Sequence, residues 1–323
     1  MNTFEPISAS KNILDSLERY MRSTFNPRRS AIAEDYATAL AEAIASRDLG
    51  GSLYREVRRV FAEGENLKSL VSSGLVHEDL VKFTNFNLYA HQSKTLRMAA
   101  IDKENAIIAT GTGSGKTESF LMPIIDSLLK ESDQGTLDAG IRAIVVYPMN
   151  ALANDQLERF RDKFAKYPEI TFGRFVGPTP TTTKEALQKK GNANFLPNER
   201  PSRESILGNI PHILITNYSM LERLLLLPQW ESLFNKKLKW IVLDEVHSYD
   251  GTKAIEMSML MRRLKARTAA STGVQCIAAS ATLGDRNSEK DRERAAKFAS
   301  ELFGERFNAH NLITPEFAES SPE

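Results

Sequence analysis

The sequence is poor in cysteine and has no long hydrophobic run. A single cysteine, Cys276, excludes a disulfide framework and a metal site built from several cysteines, and it fits a reducing, cytoplasmic setting. The first residues, MNTFEPISASKN, have no basic stretch followed by an apolar one, so we expect no signal peptide. The longest apolar runs, such as LERLLLLPQW, are too short and too interrupted to span a bilayer, so we expect no membrane association.

The sequence also lacks an excess of either charge. Its 323 residues include 42 Lys and Arg against 41 Asp and Glu, which gives a formal net charge of +1. Any basic surface must therefore be local, and the overall charge neither requires nor excludes a nucleic acid partner. Hydrophobic residues make up 41% of the chain, enough for a core in one large domain or two smaller ones.

Short β-rich runs alternate with helical stretches after residue 80. The predicted strands are AIIAT (106–110), AIVVYP (143–148), ITFGRFV (170–176), HILITN (212–217), WIVLDE (240–245) and QCIAAS (275–280). Several are apolar almost throughout, as strands buried on both faces are. Alternation with helices predicts an α/β fold with a central parallel sheet and helices on both faces.

The remaining segments of the chain lack this alternation of strands and helices. Residues 1–80 carry apolar residues at helical spacing and predict a helical N-terminal extension to a main domain at 81–304. Residues 177–203 are rich in Pro, Thr, Asn and Lys, which predicts a long surface loop. Residues 305–323 are predicted to form a loosely ordered tail.

The stretch TGTGSGKT lies between the first predicted strand and a predicted helix, ESFLMPIIDSLLK. This is the context of a phosphate-binding loop (P-loop), where glycines let successive backbone N–H groups point at one anion and the helix adds its positive end. Lys116 is predicted to reach the β- and γ-phosphates of ATP, and the Thr117 hydroxyl to hold Mg²⁺. The predicted nucleotide-binding residues here are Thr110, Gly111, Thr112, Gly113, Ser114, Gly115, Lys116 and Thr117.

Two adjacent acids end the predicted strand WIVLDE. Asp244 is predicted to bind Mg²⁺, directly or through water, and Glu245 to orient and deprotonate the attacking water. Acids at the carboxyl end of a strand project toward the crevice where α/β sheets bind ligands. Alone, the pair also fits a solvated strand end. Together with the P-loop it predicts ATP hydrolysis, with Lys116, Asp244 and Glu245 as catalytic residues.

With these residues in place, the chain resembles superfamily 2 DEAD/DEAH-box helicases in their first, RecA-like ATP-binding domain. The matching stretches are DEVH (244–247) for the box, SAT (280–282) for motif III, YAHQ (89–92) for the adenine-reading glutamine motif, PMNALANDQ (148–156) for motif Ia and TNYSML (216–221) for motif Ib. The resemblance covers roughly residues 80–304. The stretches YPMNALANDQ, TNYSML and LDEVHSYDG are similar to those of RecQ-like DNA repair helicases and antiphage-defence helicases with a cysteine-rich C-terminal domain.

The resemblance implies roles for further residues. Gln92 would form paired hydrogen bonds with the adenine edge, and His247 would couple nucleotide chemistry to motif III through the hydroxyls of Ser280 and Thr282. Motifs Ia and Ib grip the sugar-phosphate backbone of one strand, and their predicted nucleic acid contacts are Asn150, Asn154, Thr216 and Asn217. Because Asn and Thr also cap turns and helices, capping is an alternative role for these four. Gln156 is predicted to face along a helix, outside the site.

The resemblance also implies a partner. A superfamily 2 motor closes two RecA-like domains on ATP, and the second domain brings arginines to the γ-phosphate. The stretch after Gly304 is too short to be that domain, so we expect it in a longer chain or a partner subunit.

Three functions stay open. The chain is the ATP-binding half of an ATP-dependent DNA helicase or translocase, or a nucleotide-gated nucleic-acid-binding subunit or fragment with little activity alone, or part of an RNA helicase. The subgroup resemblance favours DNA over RNA.

Overall fold

The computed structural model describes residues 6–24, 30–45, 60–111, 113–189, 195–268, 273–281 and 288–318. The chain divides into two compact units, Met1–Arg59 and Val60–Glu323. In the first unit, α1 (Pro6–Thr24) and α2 (Ser30–Ala45) pack against each other, in agreement with their helical periodicity. In the part of the chain that is described, no helix combines the length and the apolar character needed to cross a membrane.

The second unit is built on an eight-stranded sheet. Its strands are β1 (Ala106–Ala109), β2 (Ala143–Tyr147), β3 (Phe172–Phe175), β4 (Glu199–Arg200), β5 (Ile213–Asn217), β6 (Trp240–Leu243), β7 (Gln275–Ser280) and β8 (Leu312–Ile313). In the order β4-β3-β5-β2-β6-β7-β1-β8, every neighbouring pair is parallel. Parallel sheets bury both faces, and β1, β2, β5 and β6 are buried at every position. The predicted parallel α/β fold is confirmed.

Helices cover both faces of this sheet. They are α3 (Leu67–Ser72), α4 (Ala90–Leu96), α5 (Lys116–Asp133), α6 (Asn150–Phe164), α7 (Thr183–Lys189), α8 (Arg203–Gly208), α9 (Tyr218–Leu226), α10 (Gly251–Arg267) and α11 (Glu289–Phe303). Short 3₁₀ helices span Glu78–Phe83, Pro228–Leu233, Val246–Ser248 and Ala309–Asn311, and a π turn spans Arg97–Ile101.

Successive strand residues point to opposite faces and so enter two separate cores. Ile108, Val145 and Val242 pack with α4, α5 and α6 on one face. Their neighbours Ile107 and Val146 pack with α9, α10 and α11 on the other. The segment after each strand is thereby held at one edge of the sheet, where the carboxyl ends of the parallel strands meet.

Two regions are more ordered than the sequence predicts. Residues 177–203 contain α7 and the edge strand β4, so they are not simply a long loop. In the predicted tail, β8 pairs with β1. A strand of two residues has no alternation for the sequence to reveal, which is why both strands were missed.

The predicted domain boundaries at residues 80 and 304 stay predictions. Leu67, Leu70 and Leu80 nevertheless lie in the same core as the sheet residue Ile108. Residues of the predicted extension therefore contribute to the packing of the second unit.

Candidate active site

The P-loop, Thr110–Gly115, joins β1 to α5. Gly113 and Gly115 have φ of 77° and 80°, in the left-handed region that glycine favours. A Cβ at Gly115 would lie 2.3 Å from Nε2 of Gln92, so the close approach also requires glycine there. Gly115 is the N-cap of α5, and no side chain caps that end of the helix. The first-turn N–H groups of α5 are therefore suited to an anion. Thr112 lies outside the described residues.

Hydrogen bonds from His91 and between two residues of the loop hold the P-loop in place. Nε2 of His91 donates to the Ser114 carbonyl at 2.8 Å, and the Ser114 hydroxyl donates to the Thr110 hydroxyl at 2.7 Å. Burial lowers the pKa of His91, which keeps the imidazole neutral with its proton on Nε2, the atom that faces the carbonyl. His91 lies in the YAHQ stretch, but the sequence alone did not single it out as a site residue.

Gln92 ties α4 to the P-loop. Its Oε1 accepts the N–H of Tyr89 at 3.0 Å, and its Nε2 donates to the Gly115 carbonyl at 3.3 Å. Each end of the amide keeps one further hydrogen-bonding position. A cavity of about 770 Å³ opens here, lined among others by Gln92, Phe86 and Arg159. Reading of adenine by Gln92 stays a prediction, and the cavity offers space for it.

Asp244 and Glu245 directly follow β6. Glu245 has φ 50° and ψ 47°, a conformation uncommon for a residue with a Cβ. Its Oε1 lies 3.2 Å from Nζ of Lys116, although 129 residues separate the two in sequence. Burial, and next the Glu245 charge, raise the pKa of Asp244 to about 6. The structure thus brings the three predicted catalytic residues together.

Thr117 is buried in the first turn of α5, and its hydroxyl donates to Oε1 of Gln156 at 2.9 Å. Gln156 lies in the middle of α6. The sequence places it outside the site, whereas the structure brings it into contact with a predicted magnesium ligand. Its presence in the motif Ia stretch is a weak signal, because helical spacing does not reveal which neighbouring helix a side chain meets.

Ser280, at the end of β7, contacts both sides of the site. Nδ1 of His247 lies 2.9 Å from the Ser280 hydroxyl and 3.4 Å from Oε2 of Glu245. The Ser280 carbonyl accepts the N–H of Thr110 at 3.1 Å. This geometry links the acidic pair to the P-loop, as coupling through His247 and Ser280 requires, and the coupling role itself stays a prediction. Thr282 lies outside the described residues.

The predicted nucleic acid contacts lie at the carboxyl ends of β2 and β5. Asn217 donates to Oδ1 of Asn150, and its own Oδ1 caps α9 by accepting the N–H of Met220 at 2.7 Å. Thr216 is fully buried and donates to the Phe175 carbonyl at 2.7 Å. Capping therefore describes Asn217 in this structure, and contacts of these residues with nucleic acid stay predictions. The structure does not describe the Asn154 side chain.

The groups at this edge suit a nucleotide triphosphate with Mg²⁺. The Lys116 ammonium and the first-turn N–H groups of α5 match phosphate oxygens. The hydroxyl of Thr117 and the carboxylate of Asp244 are oxygen ligands of the kind that Mg²⁺ prefers. All follow β1 or β6, at the edge where parallel sheets bind ligands.

Known proteins share this sequence pattern. A family model described as DEAD/DEAH box helicase matches residues 89–290. The Druantia protein DruE of Escherichia coli (strain UMEA 4076-1) is 27% identical, over 91% of this chain and 21% of that protein. The uncharacterized ATP-dependent helicase MJ1574 of Methanocaldococcus jannaschii is 31% identical, over 64% of this chain and 27% of that protein. The chain thus spans about a fifth to a quarter of the length of these relatives.

Solved structures share the fold. A crystal structure of the DUF1998 helicase MrfA bound to DNA and AMPPNP matches with a TM-score of 0.57 and 23% identity, over 87% of this chain and 34% of that chain. This likeness supports the RecA-like arrangement of the parallel sheet and its helices.

Proposed function

This chain belongs to the DEAD/DEAH box helicase family, and we propose that it is the ATP-binding half of an ATP-dependent helicase or translocase that acts on DNA. One observation carries the proposal. Two pairs of residues meet at one edge of the sheet: Lys116 and Thr117 follow β1, and Asp244 and Glu245 follow β6. Nζ of Lys116 lies 3.2 Å from Oε1 of Glu245. A phosphate-binding cation and a candidate base are thus placed side by side.

The site residues divide the work of hydrolysis. Lys116 and the first-turn N–H groups of α5 bind and orient the phosphates. Thr117 and Asp244 are the residues that would hold Mg²⁺, which when bound neutralises phosphate charge. Glu245 accepts the proton of the attacking water. Glu245 is paired with Lys116 in this structure. When the Lys116 ammonium moves to the phosphates, the Glu245 carboxylate becomes free to act as the base.

Further parts of the proposal rest on the relatives. The DUF1998 helicase MrfA is bound to DNA in the matching crystal structure, which supports DNA as the nucleic acid. The relatives are four to five times as long as the match, which leaves room for a second RecA-like domain and, in this subgroup, a cysteine-rich C-terminal domain. We place the second domain in a longer chain or a partner subunit. The single cysteine, Cys276, is buried and free, which fits the cytoplasm.

A second candidate is a nucleotide-gated subunit that binds nucleic acid and hydrolyses little ATP alone. The contact between Lys116 and Glu245 fits this candidate as well, because Lys116 remains paired with the proposed base until it moves to the phosphates. The subunit then depends on a partner for turnover. RNA in place of DNA is the remaining alternative.

Steady-state ATP hydrolysis and equilibrium ATP binding together test these candidates. The chain is assayed with and without single-stranded DNA or RNA, beside Lys116→Ala and the control Lys184→Ala, an exposed lysine of α7. DNA-stimulated turnover that disappears only in Lys116→Ala supports the first candidate. ATP binding that depends on Lys116 without turnover supports the second. ATP binding unaffected by Lys116→Ala contradicts both, and greater stimulation by RNA contradicts the assignment of DNA.

A further inference from the structure

We propose that Gln156 is a positioning residue for the magnesium site: its amide oxygen accepts a hydrogen bond from the Thr117 hydroxyl and thereby leaves the hydroxyl lone pairs available to the metal. The inference rests on the proposed function and extends it to a residue outside the P-loop and the acidic pair. It starts from the hydrogen bond of 2.9 Å between Thr117 Oγ1 and Gln156 Oε1.

The chemistry of a hydroxyl gives this bond its direction. A threonine hydroxyl has one proton and two lone pairs, and a cation attracts only the lone pairs. Thr117 is 4% exposed, so bulk water has little access to accept a hydrogen bond from its hydroxyl. The amide oxygen of Gln156 has no proton of its own, so it can only accept. Because its hydrogen points at Gln156, the Thr117 hydroxyl can offer an oxygen lone pair to the metal without breaking this hydrogen bond.

Gln156 is held firmly because α6 is anchored in the core. Leu157, the next residue, and Phe160 and Phe164 further along the helix are buried against the sheet. Near its end, α6 approaches α5 again, where Lys163 lies 3.8 Å from Glu118. The start of α5 therefore contacts α6 at two places, Gln156 and Lys163, and the packing of α6 fixes the backbone position of Gln156.

The same helix reaches the predicted nucleic acid edge. α6 begins at Asn150, which contacts Asn217 at the end of β5. A displacement of the start of α6 would therefore be passed to Gln156 about one and a half turns later. Gln156 connects the edge where a nucleic acid strand is proposed to bind with the hydroxyl proposed to bind Mg²⁺.

The experiment is a double-mutant cycle on nucleotide binding by the full chain. The affinity for a fluorescent ATP analogue is measured in Mg²⁺ and in EDTA for wild type, Gln156→Met, Thr117→Val and the double variant. Met keeps the length of Gln without its amide oxygen, and Val keeps the shape of Thr without its hydroxyl. Gln188→Met, at an exposed position of α7, controls for the chemical change, and circular dichroism checks folding.

We expect Gln156→Met to reduce the gain in affinity from Mg²⁺ by about tenfold, the lower end for a residue that orients a metal ligand. Affinity in EDTA stays within about twofold, and the substitution has no further effect when Thr117 is already Val. Equal losses with and without Mg²⁺, additive effects of the two substitutions, or no effect would each overturn the inference. ATP binding that does not depend on Lys116 would overturn the proposed function itself, and this inference with it.

Discussion

Replacement of Glu245 by glutamine is expected to strengthen nucleotide binding while it stops hydrolysis. In the structure, the Glu245 carboxylate lies 3.2 Å from the Lys116 ammonium, so the lysine must leave this partner before it can bind phosphate. Glutamine keeps the size of the side chain but removes the charge that competes for Lys116. It also removes the base proposed to activate water.

The size of the gain follows from the environment of the ion pair. At this separation Coulomb's law gives about 5 kcal/mol for an effective dielectric constant of about 20 and about 1 kcal/mol in bulk water. The side chains of Lys116 and Glu245 are 10% and 21% exposed, so both are partly solvated. Some attraction persists between Lys116 and a neutral amide, and salt bridges with access to solvent contribute little. We therefore expect a net gain of about 1 kcal/mol, or about fivefold in Kd.

The assay is equilibrium binding of ADP and of a non-hydrolysable ATP analogue to wild type and Glu245→Gln, followed by steady-state hydrolysis. Glu293→Gln, at an exposed position of α11, is the matched control. Release of Lys116 should improve the binding of both nucleotides, since Lys116 is predicted to reach the β-phosphate as well as the γ-phosphate. A gain confined to the ATP analogue would point to repulsion of the γ-phosphate instead. Unchanged or weaker binding of both nucleotides would refute the reasoning, and undiminished hydrolysis would refute Glu245 as the base.

Three further predictions concern pH, stability and coupling. Burial lowers the pKa of His212 to about 4 from 6.5, so the folded chain binds fewer protons than the unfolded chain between these values. The free energy of unfolding in urea should therefore fall by about 3 kcal/mol as pH drops from about 6.5 to about 4, and an equally steep fall in His212→Asn would contradict this. Arg142→Met leaves the buried Glu131 carboxylate with less compensation and should cost about 3 kcal/mol in the same assay, while a loss below about 1 kcal/mol would contradict it. Ser280→Ala removes a partner of His247 and should lower DNA-stimulated turnover more than ATP affinity, whereas equal losses would argue against coupling.

The fold could largely be predicted from the sequence, and a candidate ATP site could be located in it, because the signals for both are local. Continuous apolar runs mark the buried parallel strands, and all six predicted strands are present with ends that differ by no more than two residues. A glycine-rich loop followed by Lys116 and Thr117 has one physical purpose at the start of a helix. The acids after β6 indicate a nucleotide site only together with the P-loop, because the acidic pair and the P-loop both lie at carboxyl ends of parallel strands.

The nucleic acid candidates show the limit of this reasoning. Asn and Thr have the same short-range chemistry whether they cap a helix or contact a phosphate, so their letters do not decide between the two. In the structure Asn217 caps α9, and Thr216 bonds to the Phe175 carbonyl. Which of their atoms face solvent is decided by how β5 lies in the sheet.

The sequence by itself determined that this chain builds a parallel α/β domain with a P-loop and an acidic pair, since each of these features lies within a short contiguous stretch. Only the tertiary structure decided how they are joined. Contacts between Lys116 and Glu245, and between Thr117 and Gln156, cross 129 and 39 residues of chain. Neither periodicity nor spacing encodes such distances, because they depend on how α5, α6 and the carboxyl ends of the strands pack on one sheet.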